Sequence, residues 1–286
     1  RAVQKNEIAR LHSLDGIHKV GAPQLTLNLL LDRPRVSNLP ELTHATPTVI
    51  AVSLPQAVTG SIGQRLGCSG AVAIGFDTPQ DRTARLFDEE RALAAALAGK
   101  RREAFTTGRW LAQQLQRQVL GKAAAVNRGE DRAPIWPSGC IGSITHTDTL
   151  VAAIVITESA ARGIGIDLEE RGRVGERLFR RVLTPAERDR LSAAAEDARR
   201  DVATLMFSAK ESVYKALNPL LKRYIGFQEV EVTLDDAAFS AARAPVSSGP
   251  FCVRSTAPEG LGVNLRAVRG HFWRDPDHVF TTVILT

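Results

Sequence analysis

The chain has 286 residues and a mass of 31.0 kDa, with 44% hydrophobic and 24% charged residues, as in ordinary globular domains. This composition excludes collagen-like, low-complexity and wholly disordered classes, and the length allows one large domain or two medium ones. The 37 basic and 31 acidic side chains give a net charge of +6, which favours an anionic partner such as nucleic acid, a phosphorylated cofactor or an acidic protein.

Targeting and redox signals are weak along the whole sequence. Uninterrupted apolar runs such as residues 150–156 are far shorter than the roughly 20 residues that cross a bilayer. No stretch has the basic-then-apolar form of a signal peptide. Cys68, Cys140 and Cys252 lie far apart without CxxC spacing, which argues against a disulfide framework or a zinc knuckle. We therefore expect a cytoplasmic protein with reduced thiols and no membrane partner.

Regular patterns begin only after an N-terminal segment, residues 1–70, that contains many prolines and no motif to which a function can be assigned. The following residues predict a strand over 71–77, helices within 86–98 and 101–120, and strands over 142–145 and 150–156.

The same order of elements recurs in the second half. Ile164-Gly165-Ile166-Asp167 repeats Ile74-Gly75-Phe76-Asp77, Glu187-Arg188 follows it as Glu90-Arg91 follows the first copy, Phe207 begins a predicted helix, and a last strand is predicted over 279–285. This indicates an internally duplicated α+β protein with lobes at 71–162 and 163–286. Short echoes also arise by chance, so the repeat alone leaves an unduplicated chain equally open.

Two carboxylates lie at the end of the second copy of this motif and just after it. The period of a strand places Asp167 and Glu169 on one face, roughly 6–7 Å apart at the backbone. Such a pair suits a hard divalent cation such as Mg²⁺ with a phosphate-bearing ligand, although an ordinary acidic strand end is the simpler explanation of the pair taken by itself. Gly163-x-Gly165 lacks the third glycine of a dinucleotide-binding loop, and no P-loop sequence occurs, so both of those classes are excluded.

A second acidic element is the predicted helix start at Phe207, where Glu211 and Lys215 share a face. Ser208 with Glu211 also fits a capping box, which would give Glu211 a structural role. The same choice applies to Thr184-Pro185-Ala186-Glu187, in which Glu187 either caps a helix or serves as a general base.

Basic side chains cluster in Lys100-Arg101-Arg102 and Arg109, a pattern that grips phosphate or forms a solvated helix face. His146 lies between two apolar strands, where a histidine is more often structural than reactive. A basic protein that binds nucleic acid through residues 100–109 is the alternative from another class. Aromatic residues make up only 5%, no nucleic-acid motif occurs and the acids would have no purpose, so we expect no nucleic-acid partner.

In combination these motifs are specific. Ile164-Gly165-Ile166-Asp167-Leu168-Glu169 followed by Phe207-Ser208-Ala209-Lys210-Glu211-Ser212-Val213-Tyr214-Lys215 resembles the paired signature of the 4′-phosphopantetheinyl transferase superfamily. Arg101-Arg102-Glu103-Ala104-Phe105, Gly108-Arg109, Trp136-Pro137-Ser138-Gly139 and Gly142-Ser143-Ile144-Thr145-His146 resemble the long type found in surfactin and enterobactin synthetase systems. The resemblance runs from about residue 71 to the C-terminus.

The resemblance implies an α+β fold of two similar lobes related by a pseudo-twofold axis, with the active site between them. It implies transfer of the phosphopantetheine arm of coenzyme A to a serine of an acyl or peptidyl carrier protein, with release of adenosine 3′,5′-bisphosphate. Mg²⁺ is the implied cofactor, and a two-lobed chain of this kind is expected to act as a monomer. A protein that keeps the fold but only binds remains the alternative.

Roles for individual residues follow from the same resemblance. Asp167, Glu169 and Glu211 would hold Mg²⁺, Glu187 would accept the serine proton, and Lys215 would stabilise or protonate the leaving phosphate oxygen. The residues implied in binding coenzyme A are Arg101, Arg109, Arg132, Ser143, Thr145, His146 and Lys210.

Overall fold

A computed structural model describes residues 54–59, 61–67, 71–130, 132–236, 239 and 246–286. Most of the segment that carries no motif, and Cys68 with it, therefore lies outside the described residues. Its described part forms two short helices, α1 (Leu54–Thr59) and α2 (Ile62–Leu66), which the sequence pattern did not predict. None of the described helices combines the length and the apolar character needed to cross a membrane.

The first half of the described chain forms a small sheet covered by a long helix. Its elements are β1 (Val72–Asp77), α3 (Asp88–Ala95), α4 (Gly99–Leu120), β2 (Asn127–Arg128), β3 (Pro134–Ile135), β4 (Cys140–His146) and β5 (Val151–Thr157). Strands β1, β5 and β4 form an antiparallel sheet in that order, and β2 pairs with β3. Leu111 and Leu115 of α4 are fully buried, and Gly75 of β1 leaves room for them.

The second half forms a larger sheet and a longer helix. Its elements are β6 (Gly163–Glu170), α5 (Glu176–Val182), α6 (Pro185–Ser192), α7 (Glu196–Leu221), β7 (Val230–Leu234), β8 (Ser247–Ser255), β9 (Val268–Arg274) and β10 (His278–Leu285). The antiparallel order is β6-β10-β9-β8-β7, and α7 packs on β6 and β10. The mixture of helices and antiparallel sheets confirms the α+β class.

The predicted start of a helix at Phe207 is wrong, because α7 begins eleven residues earlier at Glu196. The apolar period continues back through buried residues such as Val202 and Leu205, so the helix has no reason to begin later. Ser208 consequently lies in mid-helix, where its hydroxyl contacts the Thr281 hydroxyl at 2.9 Å instead of capping a helix end.

The two sheets meet along β4 and β6 through side-chain hydroxyls. The backbone N–H of Ile166 donates to Ser143 Oγ at 3.1 Å, and that of Leu168 donates to Thr145 Oγ1 at 3.2 Å. A buried apolar cluster then continues from one sheet to the other, with Phe76 of β1 and Phe280 of β10 in edge-to-face contact at 5.4 Å. One layer of apolar side chains therefore fixes the position of each sheet relative to the other.

The helices α1 and α2 close this shared core beside β9. The indole N–H of Trp273 donates to Ser61 Oγ at 3.1 Å, and the backbone N–H of Leu54 donates to Asp275 Oδ2 at 3.3 Å. Leu54 and Val58 are both buried in the same cluster. The end of the N-terminal segment thus belongs to the packed structure.

Acid should weaken this region through His271 of β9, which is buried beside Trp273. Burial, reinforced by the charge of Arg65, lowers the pKa of His271 to about 4 from an ordinary value of 6.5. At pH values between these two pKa values, the unfolded chain therefore binds a proton at His271 that the folded protein does not bind. Neutral His271 contributes on the order of 2–3 kcal/mol to the free energy of unfolding. This contribution is complete above pH 6.5 and is lost as the pH falls toward 4.

Urea unfolding at pH 7.5, 6 and 5 measures this effect. The His271→Gln variant should lose less of its free energy of unfolding than the wild type over this range, because the titrating ring is gone. If the free energies of unfolding of the two proteins fall by the same amount as the pH is lowered, His271 is not the cause of the acid sensitivity.

Candidate functional site

Strand β6 carries two buried carboxylates side by side. Asp167 and Glu169 are 1% and 0% exposed, and the strand period places them on one face. Asp167 Oδ1 accepts from Lys215 Nζ at 2.7 Å and from the Thr145 hydroxyl at 3.3 Å, while Glu169 Oε2 accepts from Arg173 at 2.9 Å. Among the described residues, none donates a hydrogen bond to Asp167 Oδ2 or Glu169 Oε1.

Helix α7 brings Glu211 and Lys215 to the same place. Desolvation, followed by the negative charge of Asp167, raises the pKa of Glu211 to about 7 and that of Glu169 to about 8. Burial alone would lower the pKa of Lys215, but the charges of Asp167 and Glu211 outweigh it and raise that pKa. Three buried carboxylates and one partly exposed ammonium group therefore share one site.

The chemistry of this donor set fits a hard divalent cation. Two buried carboxylate oxygens without a hydrogen bond are costly unless a positive ion or a donor reaches them. In the conformation described here Lys215 and Arg173 each hold one carboxylate, and the described residues contain no group of three or more His, Cys, Asp or Glu side chains in a metal-binding arrangement. The expected ligands are thus neighbours, and their assignment as a metal set remains a prediction.

The residues implied in binding coenzyme A fall into two groups. Arg101 on α4, Arg132 after β2 and His146 at the end of β4 are exposed. Desolvation and then the charge of Lys215 lower the pKa of His146, which places its ring near the Asp167 and Lys215 pair although the residue keeps contact with solvent. His146 is therefore the member of this group that lies beside the carboxylates.

Arg109 belongs to the second group, whose side chains are buried. Its guanidinium lies over the Phe105 ring at 4.9 Å and donates to the backbone oxygen of Asn127 at 3.4 Å. Burial lowers its pKa to about 10, with Glu90 opposing and Arg128 adding to that shift. Arg128 of β2 is therefore a second arginine at this place, which the sequence analysis missed because it lies distant in sequence from the helical cluster.

Ser143 and Thr145 also belong to the buried group. Their hydroxyl oxygens accept the β6 N–H groups that join the two sheets. The structure thus gives both residues a role at the junction, while their assignment to coenzyme A binding stays a prediction.

Glu187 and Lys210 contact each other at 2.6 Å, and both are buried. Lys210 also donates to the backbone oxygens of Val182 and Phe227, each at 2.8 Å, so all three of its protons have partners. The capping box predicted for Thr184 and Glu187 is confirmed. The base role of Glu187 and the nucleotide contact of Lys210 remain predictions that these contacts do not favour.

A cleft opens beside Glu211 between α7 and the segment that follows it. Its lining is mostly apolar and aromatic and comprises Lys210, Glu211, Tyr214, Tyr224, Ile225, Gly226, Phe227 and Val230. The ring of Tyr214 on α7 and the ring of Tyr224 in the following segment lie 5.8 Å apart. Its free volume of about 10 Å³ holds about one water molecule, so the cleft as it stands is too small for an organic group.

Comparison with known proteins gives matches over both halves of the chain. The family described as "4'-phosphopantetheinyl transferase N-terminal domain" matches residues 88–156, and the "4'-phosphopantetheinyl transferase superfamily" matches residues 163–258. The first match covers α3 to β5 without β1, and the second covers β6 to β8 without β9 and β10, so each long helix lies within one of the matches.

Individual relatives agree with these families. The chain is 37% identical over 204 residues to 4'-phosphopantetheinyl transferase Svp of Streptomyces mobaraensis, which covers 67% of this chain and 82% of that protein. It is 36% identical over 160 residues to 4'-phosphopantetheinyl transferase Npt of Nocardia iowensis, covering 56% and 70%. Enterobactin synthase component D of Escherichia coli K12 is 42% identical over 90 residues, covering 31% of this chain and 41% of that protein.

Proposed function

The chain belongs to the 4′-phosphopantetheinyl transferase superfamily, and we propose that it transfers the phosphopantetheine arm of coenzyme A to a serine of an acyl or peptidyl carrier protein. The serine oxygen forms a bond to the phosphorus that bears the pantetheine arm. The pyrophosphate bond breaks, and adenosine 3′,5′-bisphosphate leaves with the bond electrons. The observation that carries the proposal is that three buried carboxylates, those of Asp167, Glu169 and Glu211, lie beside the ammonium group of Lys215.

Asp167, Glu169 and Glu211 would hold Mg²⁺ in this proposal. The two carboxylate oxygens of β6 without hydrogen bonds support the assignment, because they are buried and face no donor among the described residues. When bound, the ion supplies positive charge that neutralises the pyrophosphate and polarises the phosphorus under attack. The carboxylates themselves fix where that charge lies.

Lys215 serves the leaving group. Its ammonium group lies 2.7 Å from Asp167 Oδ1, and its raised pKa keeps it charged at neutral pH. A charged donor beside the carboxylates can stabilise the departing phosphate oxygen or give it a proton.

The serine proton leaves as the new bond forms. The family resemblance assigns its acceptance to Glu187, and this assignment stays a prediction. Glu187 is only 1% exposed, and each of its oxygens already accepts hydrogen bonds within the protein.

Binding of coenzyme A divides between the two halves of the chain. His146 lies next to the carboxylates, and we assign the nucleotide phosphates to it together with Arg101, Arg109 and the neighbouring Arg128. We propose accordingly that residues 71–162 and 163–286 are duplicated lobes with the active site between them.

The partner is proposed to be a carrier protein with an acidic surface, because the net charge of +6 accelerates encounter with a negative one. We further propose that the protein acts as a monomer, since both halves of the proposed cleft come from one chain, and that it is located in the cytoplasm.

Intact-mass spectrometry tests the proposal directly. An apo carrier protein incubated with this protein, coenzyme A and Mg²⁺ should gain one phosphopantetheine arm, roughly 340 Da by its formula, and EDTA should prevent the gain. Excess Mg²⁺ added after EDTA should restore it. A carrier in which alanine replaces the acceptor serine is the matched control and should gain nothing. Unchanged masses across several carrier types, or a gain that survives EDTA, would contradict the transfer or the metal assignment respectively.

A further inference from the structure

Glu187 holds three separate parts of the second half together. Its Oε1 accepts the backbone N–H of Val232 in β7 at 2.7 Å, and its Oε2 accepts that of Thr184 at 2.7 Å. The third contact, with Lys210, extends to α7. One carboxylate thus joins the start of α6, the strand β7 and the helix that carries Glu211.

The first half contains the same arrangement around Glu90. Glu90 Oε1 accepts the backbone N–H of Val126 at 2.9 Å, and Oε2 accepts that of Phe87 at 3.3 Å and the side-chain amide of Gln113 at 2.5 Å. Both glutamates are the third residue of their helix, and each is paired with a side chain 23 residues later on the following long helix. We call the two arrangements the Glu90 brace (Glu90 with Gln113) and the Glu187 brace (Glu187 with Lys210).

Each brace is attached next to a residue of the proposed site. Lys210 immediately precedes Glu211, and Gln113 follows Arg109 by one helical turn on α4. Glu90 also lies close enough to Arg109 for its negative charge to oppose the desolvation of the guanidinium. The braces thus support opposite sides of the site, the carboxylates in one case and the phosphate-binding arginine in the other.

We propose that Glu90 and Glu187 are paired positioning residues: the Glu187 brace sets the position of Glu211 for metal binding, and the Glu90 brace sets that of Arg109 for coenzyme A. This inference rests on the proposed function. It replaces the general base predicted at Glu187, because a base needs a lone pair within reach of the incoming serine hydroxyl and Glu187 is enclosed by its own partners; the serine proton then passes to solvent water.

A crossed set of variants tests the proposal. The first set of variants removes the Glu187 brace and consists of Glu187→Ala, Lys210→Ala and the double variant. The second set removes the Glu90 brace and consists of Glu90→Ala, Gln113→Ala and the double variant. Mn²⁺ binding followed by electron paramagnetic resonance reports on the carboxylates without any turnover, and the KM for coenzyme A reports on Arg109. Urea unfolding of every variant separates these effects from general loss of stability.

The Glu187 brace variants should weaken Mn²⁺ binding about 10-fold or more, the range seen when a residue that supports a metal ligand is removed. The double variant should be no worse than either single one, because the two side chains act as a unit. The Glu90 brace variants should keep Mn²⁺ affinity and raise the KM for coenzyme A. The conservative Lys210→Gln variant copies the pairing found in the first half and should recover most of the Mn²⁺ affinity lost in Lys210→Ala.

Three outcomes would overturn the proposal. A general base at Glu187 would show as a loss of kcat in Glu187→Ala with unchanged Mn²⁺ affinity in both Glu187→Ala and Lys210→Ala. A merely structural role would lower stability in both sets of variants without the crossed pattern. If the alanine variants fail to fold, Lys210→Met and Glu187→Gln carry the same comparison, because each removes the ion pair at nearly constant side-chain size, and unchanged Mn²⁺ affinity in both contradicts the brace. A wild-type protein that modifies no carrier and binds no Mn²⁺ would instead refute the proposed function itself.

Discussion

The Glu211→Gln variant is expected to modify a carrier protein about 10²–10³-fold more slowly than the wild type, with little change in its free energy of unfolding. The carboxylate is one of three proposed metal ligands, and the charge stabilisation that a bound metal provides is worth several kcal/mol, each 1.36 kcal/mol being a factor of ten in rate. The amide keeps the shape of the side chain and removes a buried charge, so the packing of α7 is preserved.

Initial rates of carrier mass gain at saturating coenzyme A and Mg²⁺ measure this loss, and circular dichroism with urea unfolding checks the fold. Glu170→Gln is the matched control, because Glu170 follows Glu169 on β6 but is exposed, and this variant should keep full activity. Transfer at the wild-type rate by Glu211→Gln would refute the metal assignment.

The sequence predicted most of the elements that carry the site. Strands and amphipathic helices follow from local periodicity, and the same-face placement of Asp167 and Glu169 follows from the strand period alone. The contact of Lys215 with Asp167 could not be predicted in this way, because it depends on how α7 lies across β6. Spacing places Glu211 and Lys215 on one helix face but does not say which strand that face meets.

Buried polar residues were the hardest to interpret. A cation in a helix gives the same sequence signal whether it faces solvent, as Arg101 does, or lies inside the protein, as Arg109 and Lys210 do. Which backbone oxygens and carboxylates cover such a cation depends on residues distant in sequence. The sequence shows that Glu187 occupies the place in the second half that Glu90 occupies in the first. The structural role of the two glutamates becomes clear only from their partners, Gln113 and Lys210, which lie at matching positions.

The contact that the glycines of β6 make with α7 could not be predicted from the sequence either. Replacing one of these glycines should have the largest effect on folding. Gly163-x-Gly165 lies directly beneath α7. A Cβ atom at Gly165 would lie 2.0 Å from the Ser212 backbone oxygen and 2.7 Å from the Ala216 backbone nitrogen, and one at Gly163 would lie 2.5 Å from the Ala216 oxygen. The two glycines therefore permit a close contact between strand and helix.

The Gly165→Ala variant should lose about 3 kcal/mol or more of its free energy of unfolding, because the clash is with helix backbone that no side-chain rotation can relieve. Urea unfolding measures the loss. Gly63→Ala is the control: its added methyl group would lie 3.8 Å from the nearest atom, Val72 Cγ1, and alanine favours the helix α2 in which it lies. Any folded Gly165→Ala protein should also transfer slowly, since moving α7 away from β6 separates Glu211 from Asp167. If Gly165→Ala is as stable as the wild type, α7 does not approach β6 this closely. Glu211 of α7 would then not lie beside Asp167 of β6.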